Sequence, residues 1–340
     1  MTLTYDQEVE LVTKLLAASG MSEEDAAVAA RVTTHSDFTG VYSHGLSRLT
    51  RYLRQFDCGA LNPKPDIKIV SEEGSTIVFD CDNGLGTVNV NKAYDAILPK
   101  AKENGIAIAV GRHSSNIGCA AYYGWRAVKD GVIAMITCNT YAFSSPFGGA
   151  DRMIGTNPIS FAVPANEQYP VVLDISTTNV AMGKIQAAER EGQSIPLGWA
   201  NDYDGKPTTD PSKAFSLLPI AGHKGYGLAV MVDVLSTLLS KAAAGSDIGL
   251  FSKLQPENTG FCVILIDPSK FMPIEEFRNN VDYYIRMMKG SRRAEGVEEI
   301  FMPGEIEQKK FEQLMQTGVS FSDNLENELR ALGKKIGVTL

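Results

Sequence analysis

Apolar and polar positions follow two different periods along this chain. From Thr4 to about Gly20, Val9, Val12, Leu15 and Leu16 recur at helical spacing behind a Thr4-x-x-Gln7 capping-box pattern. Ser22 opens a second, alanine-rich helix reaching about Gly40. A third is expected from near Ser43, where Leu46, Leu49, Leu53 and Phe56 form one apolar stripe ending at Gly59. The period then shortens to two. IKIVSEEGSTIVFD predicts two strands around a Glu-Glu-Gly turn. Helices at about 91–104 and 118–130 lead into the apolar runs IAIAVG and VIAMITC. ISFAVP and VVLDI are two further short strands with little chain between them, which predicts a partly antiparallel or mixed sheet. Beyond a glycine- and proline-rich stretch (196–222), a helix is expected from about Gly225 to Ser240 and FCVILID reads as a buried strand. The last seventy residues return to amphipathic helices. The expected fold class is α/β, with a mixed sheet and helices contributed by both chain ends.

Size and charge narrow the function classes. A chain of 340 residues favours two lobes over one core, and 44% apolar with 21% charged residues is a globular composition. No apolar run approaches the roughly 20 residues that cross a bilayer. MTLTYDQEVE lacks the basic-then-apolar order of a signal peptide, so a cytoplasmic location is expected. The net charge is −8 and no basic run stands out, which argues against a nucleic-acid partner. The cysteines at 58, 81, 119, 138 and 262 form no CxxC pair, and no two histidines have HxxxH spacing. Reduced, mostly buried thiols and no metal centre are the expectation.

The stretch GVYSHGLSRLTRY (40–52) carries one of only four histidines. On a continuous helix His44, Arg48 and Tyr52, at i, i+4 and i+8, share the face opposite the leucine stripe. Such a ladder offers a proton carrier, a fixed cation for a carboxylate and a phenolic hydroxyl. A solvated face with an incidental histidine gives the same pattern. His35 sits late in the alanine-rich helix and is expected to pack or cap; His113 lies in a strand-to-helix loop, GRHSSNIG. GHKGYG (222–227) brings glycines, Lys224 and a helix start together, a pattern shared by anion sites and by solvent-facing turns. It fits neither GxGxxG nor a P-loop. Asp174 ends a strand and suits either a ribose or a loop.

SHG (43–45), PFGG…GTNP (146–158), D…GKI (174–185), DGKPTTDP (204–211), GHKGYGLA (222–229) and MPGE (302–305) occur in that order. With them the chain resembles the malate/L-lactate dehydrogenase family that lacks the Rossmann fold, whose members include ureidoglycolate and sulfolactate dehydrogenases, diketogulonate reductase and cyclic-imine carboxylate reductases. The resemblance implies a mixed-sheet cofactor domain (66–274), a helical domain from both chain ends (1–65 with 275–340) and a homodimer. It implies NAD or NADP as cofactor, NAD being the first expectation, and a small carboxylate as substrate. Carried over by position, His44 is the acid/base with Ser43 beside it. Arg48, Tyr52 and Thr156 face the substrate. Thr140, Asp174, Ile175, Ser176, Lys224, Gly225, Pro303, Gly304 and Glu305 fall where the cofactor is held.

Two departures qualify the match. Asn116 stands where many members have a histidine; it can orient a substrate but cannot titrate. Lys184 stands where the cyclic-imine branch has an acidic residue. The expected reaction is reversible hydride transfer at the 2-position of a 2-hydroxy or 2-oxo acid. The alternatives are imine reduction and a catalytically altered homologue.

Overall fold

The computed structural model describes residues 1–250 and 255–338. It opens with a short strand β1 (Thr2–Leu3), helix α1 (Tyr5–Ala18) and helix α2 (Glu23–Phe38). The Thr4–Gln7 capping box forms as expected, and the Ser22 side chain caps α2. After two single 3-10 turns comes α3 (Leu49–Asp57). Strands β2 (Lys68–Glu73) and β3 (Thr76–Asp80) form the predicted hairpin. Helix α4 (Gly86–Asn104) starts five residues before the expected position and leads into β4 (Ile106–Ser114). Then follow α5 (Ala121–Lys129), β5 (Ile133–Cys138), β6 (Ile159–Val163), β7 (Val171–Ile175) and α6 (Met182–Arg190).

A small three-stranded sheet pairs β8 (Ala200–Asn201) with β9 (Pro207–Thr208) and β10 (Ser216–Leu217). Helix α7 (His223–Asp233) runs on through a π turn, Val234–Leu238. Strand β11 (Thr259–Ile266) precedes α8 (Ile274–Lys289), α9 (Glu305–Thr317), strand β12 (Val319–Ser320) and α10 (Asp323–Lys335).

The main sheet has the order β2-β3-β4-β11-β5-β6-β7. Only β3 and β4 run parallel; every other neighbouring pair is antiparallel. A late strand thus wedges between two earlier ones. It is apolar along its length because both faces are covered. Phe261, Val263 and Leu265 point into the core beneath α4 and α5, with Val90, Ile97 and Tyr123. The alternate face meets the π turn, where Ser236 and Thr137 share a hydrogen bond at 2.8 Å.

A second core lies among α1, α2, α3 and α10. It holds Val12, Leu15 and Leu16, the alanines of α2, the predicted stripe Leu46, Leu49 and Leu53, and Leu329. The alanines let α1 and α2 approach closely. β1 pairs antiparallel with β12, so the two ends of the chain close this region together. Helix α8 instead lies against the β6–β7 loop, where Asp282 accepts the backbone N–H groups of Asn166, Glu167 and Gln168.

Candidate active site

The turn carrying His44 is not the continuous helix that its spacing predicts. Tyr42–His44 and Leu46–Arg48 are separate 3-10 turns, and α3 begins only at Leu49. Gly45, with φ −90° and ψ −148°, breaks the helix between them. The cause lies directly beneath. Asp37, at the end of α2, accepts the Leu46 N–H at 2.5 Å, and a β-carbon on Gly45 would overlap the Asp37 carboxyl group. His44, Arg48 and Tyr52 therefore do not form a ladder on one helix face, although the turns keep them close. Arg48 Nε donates to the Ser43 carbonyl at 2.7 Å, and Ser43 Oγ shares a hydrogen bond with His44 Nδ1 at 3.0 Å. Tyr52, fully buried on α3, donates to Asn116 Oδ1 at 3.0 Å.

His44 and Asn116 open on a cavity of about 580 Å³, within the range of small-ligand pockets. Thr140, Thr156, Asp174, Ile175, Ser176, Pro303 and Gly304 line it as well. Ser43 and Tyr52 stand one contact behind the wall, and Arg48 is bonded to Ser43. Lys224, Gly225 and Glu305 do not line the cavity. Lys224 is exposed in the first turn of α7. Glu305 is buried on the other side of its turn, bonded to Lys289 at 2.5 Å, Lys309 at 3.0 Å and the Met302 N–H at 3.1 Å. Burial works against its ionisation, but Lys289, Met302 and Lys309 together hold its carboxyl down at about 2. That places Glu305 as the lock of the Met302–Gly304 turn. Gly304, at φ +86°, lets the turn press on β7, where the Pro303 carbonyl accepts the Val172 N–H at 2.9 Å.

The electrostatics differ from wall to wall. Burial, then the guanidinium groups of Arg48 and Arg51, push His44 down to about 3, so its imidazole is neutral. Burial pushes the Tyr52 phenol up, which keeps it a donor to Asn116. Asn116 Oδ1 also accepts the Gly118 N–H at 3.1 Å. The amide oxygen is thus spent, and Nδ2 is the group left for a ligand. Across the cavity Asp174 Oδ2 accepts the Ala121 N–H at 2.7 Å and the Cys119 thiol at 3.4 Å. Burial raises its pKa, and these donors oppose the rise. Asp174 therefore holds the start of α5, with lone pairs to spare for a ligand hydroxyl. Thr140 and Thr156 join their hydroxyls at 3.1 Å, and Asn157 ties both to α7 through the Ala229 carbonyl and Asp233.

Arg51 is the residue that a ladder counted in fours passes over. It pairs with the buried Glu257 at 2.6 Å and donates to the Tyr141 hydroxyl at 2.6 Å. Glu257 is more than two hundred residues away, so only the tertiary fold reveals the pairing. Arg48 has no carboxylate partner among the described residues. His113 does not approach the cavity: it ends β4 with Nδ1 2.9 Å from Asp80. His35 packs between Tyr122 and Phe311, in line with the packing role expected late in α2.

A family profile described as malate/L-lactate dehydrogenase matches residues 3–330. L-sulfolactate dehydrogenase of Methanocaldococcus jannaschii is 39% identical over 100% of this chain and 98% of its own. Its solved structure superposes with a TM-score of 0.94, at 38% identity, covering 100% of this chain and 98% of that one. Ureidoglycolate dehydrogenase (NAD(+)) of Escherichia coli K12 is 31% identical over 96% of this chain and 94% of its own. (2R)-3-sulfolactate dehydrogenase (NADP(+)) of Chromohalobacter salexigens is 35% identical over 77% of this chain and 79% of its own. The mixed sheet without a Rossmann order is shared with that solved structure. Matched by the profile over nearly its whole length, the chain belongs to the malate/L-lactate dehydrogenase family.

Proposed function

We propose that this chain is a nicotinamide-dependent oxidoreductase that reversibly moves hydride to and from C2 of a 2-hydroxy or 2-oxo carboxylic acid. One observation carries the reading. A neutral histidine with a cation behind it shares one cavity with a carboxylate and a paired-hydroxyl wall suited to a ribose.

The residues present fit the cofactor. Asp174 and Ser176 offer acceptors to ribose hydroxyls, Thr140 offers a hydroxyl, and Ile175, Pro303 and Gly304 offer an apolar and backbone surface. When bound, a nicotinamide supplies the hydride or receives it. Two carboxylates, Asp174 and Glu307, border the cavity and would repel a 2′-phosphate, which supports NAD over NADP.

The protein's own groups do the rest. The Arg48 guanidinium spends Nε on the Ser43 carbonyl and keeps its fork for the substrate carboxylate. Asn116 Nδ2 donates to the C2 oxygen and fixes it. His44 takes the hydroxyl proton during oxidation through Nε2, while Nδ1–H donates to Ser43 Oγ. In reduction the protonated ring returns the proton to the developing alkoxide. A carboxylate arriving at Arg48 cancels part of the positive field that depresses His44. Substrate charge and proton affinity at His44 therefore rise together.

The homodimer is supported by apolar side chains exposed along α7 and its π turn, Leu228, Met231, Leu238 and Leu239. The two-domain division, 1–65 with 275–340 and 66–274, is supported by the helical core, which Leu85 and Val88 join from the sheet side, with α8 the exception; residues 251–254 and 339–340 lie outside the described ones. The test is the absorbance of reduced nicotinamide with each cofactor and a panel of 2-oxo acids, a cyclic imine carboxylate and a carboxylate-free ketone. Turnover confined to 2-oxo acids is expected; equal turnover of the ketone would sink the reading.

A further inference from the structure

Beneath the His44 turn lie two carboxyl groups that the mechanism does not use. Glu8 on α1 is 0% exposed and Asp37 on α2 is 1% exposed. Asp37 has a clear task, since it accepts the Leu46 N–H and occupies the space that Gly45 leaves open. Glu8 has none. Neither of its oxygens makes a well-aligned hydrogen bond; the Asp37 carboxyl and the Thr34 hydroxyl are the groups that lie against it. An ionised carboxylate only accepts, so two buried carboxylates side by side leave lone pairs facing lone pairs. A single proton on Glu8 resolves this, because a carboxylic acid donates.

We infer that Asp37 is a positioning residue for His44, and that Glu8, protonated, is the donor that holds the Asp37 carboxylate in place. The pair works as a monoanion. Its negative half grips the Leu46 N–H, its neutral half lies behind, and one proton lies between them. The clamp fixes Gly45 in its non-helical conformation, and that conformation turns His44 to the cavity instead of continuing α3. The positioning claim rests on His44 being the proton carrier; the proton sharing does not.

The surroundings agree. From α1, the Tyr5 phenol faces Glu8 and stays protonated, pushed up chiefly by burial. From the 3-10 turn comes the Tyr42 hydroxyl, and from the segment around β12 come Ser320 and Ser322; with Asp37 they border a small cavity of about 180 Å³. Helix α9 packs Phe311 and Leu314 beside Phe38, and its Lys310 lies farther out against Gly40. No cation is among the groups that act on either carboxyl. Burial first, and each other's charge second, hold the Glu8 proton well above the usual carboxylate range.

The sign of the pH dependence follows. A carboxyl whose folded pKa exceeds its unfolded value, about 4, costs stability as pH rises past that value, because the unfolded chain ionises and the folded one does not. When the folded pair finally loses its proton, two anions face each other under the turn. Turnover should then fall at alkaline pH.

The experiment uses the full chain with three substitutions, read by kcat against pH and by thermal midpoint against pH. Glu8→Gln replaces the titrating donor with an amide N–H. It should keep turnover within about threefold at neutral pH, raise the midpoint at about pH 9 and remove the alkaline fall in kcat. Asp37→Ala should lower kcat about tenfold or more while leaving the cofactor Kd unchanged, and Asp37→Asn, which keeps an acceptor for Leu46, should restore most of it. A Glu8→Gln chain whose midpoint and kcat profiles superimpose on the parent overturns the shared proton. Full kcat in Asp37→Ala, with His44→Gln inactive, overturns the positioning role. Full turnover in His44→Gln overturns the functional reading and the positioning role with it, while the midpoint profile still decides the proton sharing. If Asp37→Ala fails to fold, Asp37→Asn and Glu8→Gln decide it: the alkaline fall must vanish in both.

Discussion

His44 and His113 are both partly buried, and each has Nδ1 about one hydrogen bond from a neighbour: 3.0 Å to Ser43 Oγ and 2.9 Å to Asp80. Their surroundings give them opposite roles. His113 shares Asp80 with Arg112, so a carboxylate stands between the imidazole and the nearest cation. His44 faces two arginines with no carboxylate of its own, because Glu257 pairs with Arg51. The first arrangement is closed and ties β3 to β4. The second is open by one negative charge, the charge a carboxylate substrate brings. A histidine becomes a site where the charge balance around it is left incomplete.

Substitution at both histidines is the strongest way to break this contrast. His44→Gln should lower kcat by about 10²–10⁴-fold with the cofactor Kd nearly unchanged, while His113→Gln stays within a few-fold. Comparable losses in the two would erase the distinction. Next in size is Arg48→Lys, which loses the planar fork; kcat/KM for 2-oxo acids should drop about tenfold to a hundredfold. An equal drop on a carboxylate-free ketone would show that Arg48 only braces Ser43.

Stability in acid sharpens the comparison further. The folded pKa of His44 is about 3, below the unfolded value of about 6.5. The unfolded chain therefore takes up a proton that the folded chain refuses, and stability falls as pH drops from the higher value towards the lower one. His35, also pushed down to about 3 chiefly by burial, acts in the same sense. His44→Gln should flatten this acid limb in thermal midpoints measured against pH; an unchanged limb would mean that His44 titrates normally. The smallest effect is expected from Asn116→His. It should add a second ionisation to the pH profile of kcat and shift turnover by only a few-fold. A profile identical to the parent would show that position 116 does not touch the reacting oxygen.

Much of this was legible in the chain itself. Every main-sheet strand except the exposed, charged edge strand β2 appears as an apolar run, and SHG, GTNP and MPGE each contribute a residue to the cavity wall or hold one in place. What misled was continuity. Leu46, Leu49 and Leu53 keep helical spacing because they face one core, although the backbone between Ser43 and Leu49 is broken at Gly45. The break comes from Asp37, eight residues earlier, and no local pattern announces it. Lys224 and Glu305 show a different limit. Both lie in segments that match the family, but one faces solvent and the other faces two lysines. A motif can be present while one of its side chains serves the scaffold.

The insertion of β11 between β4 and β5 has a consequence for the order of assembly. Asn116 follows β4 and Thr140 follows β5, and these strands touch only through β11, which begins at Thr259. A chain emerging from the ribosome has made His44, Asn116, Thr140 and Asp174 long before the strand that brings their supports together. Such non-local pairing makes folding slow and leaves two unpaired strand edges waiting meanwhile. β11 contributes no residue to the cavity wall, yet it joins the two strands that lead into Asn116 and Thr140 on that wall.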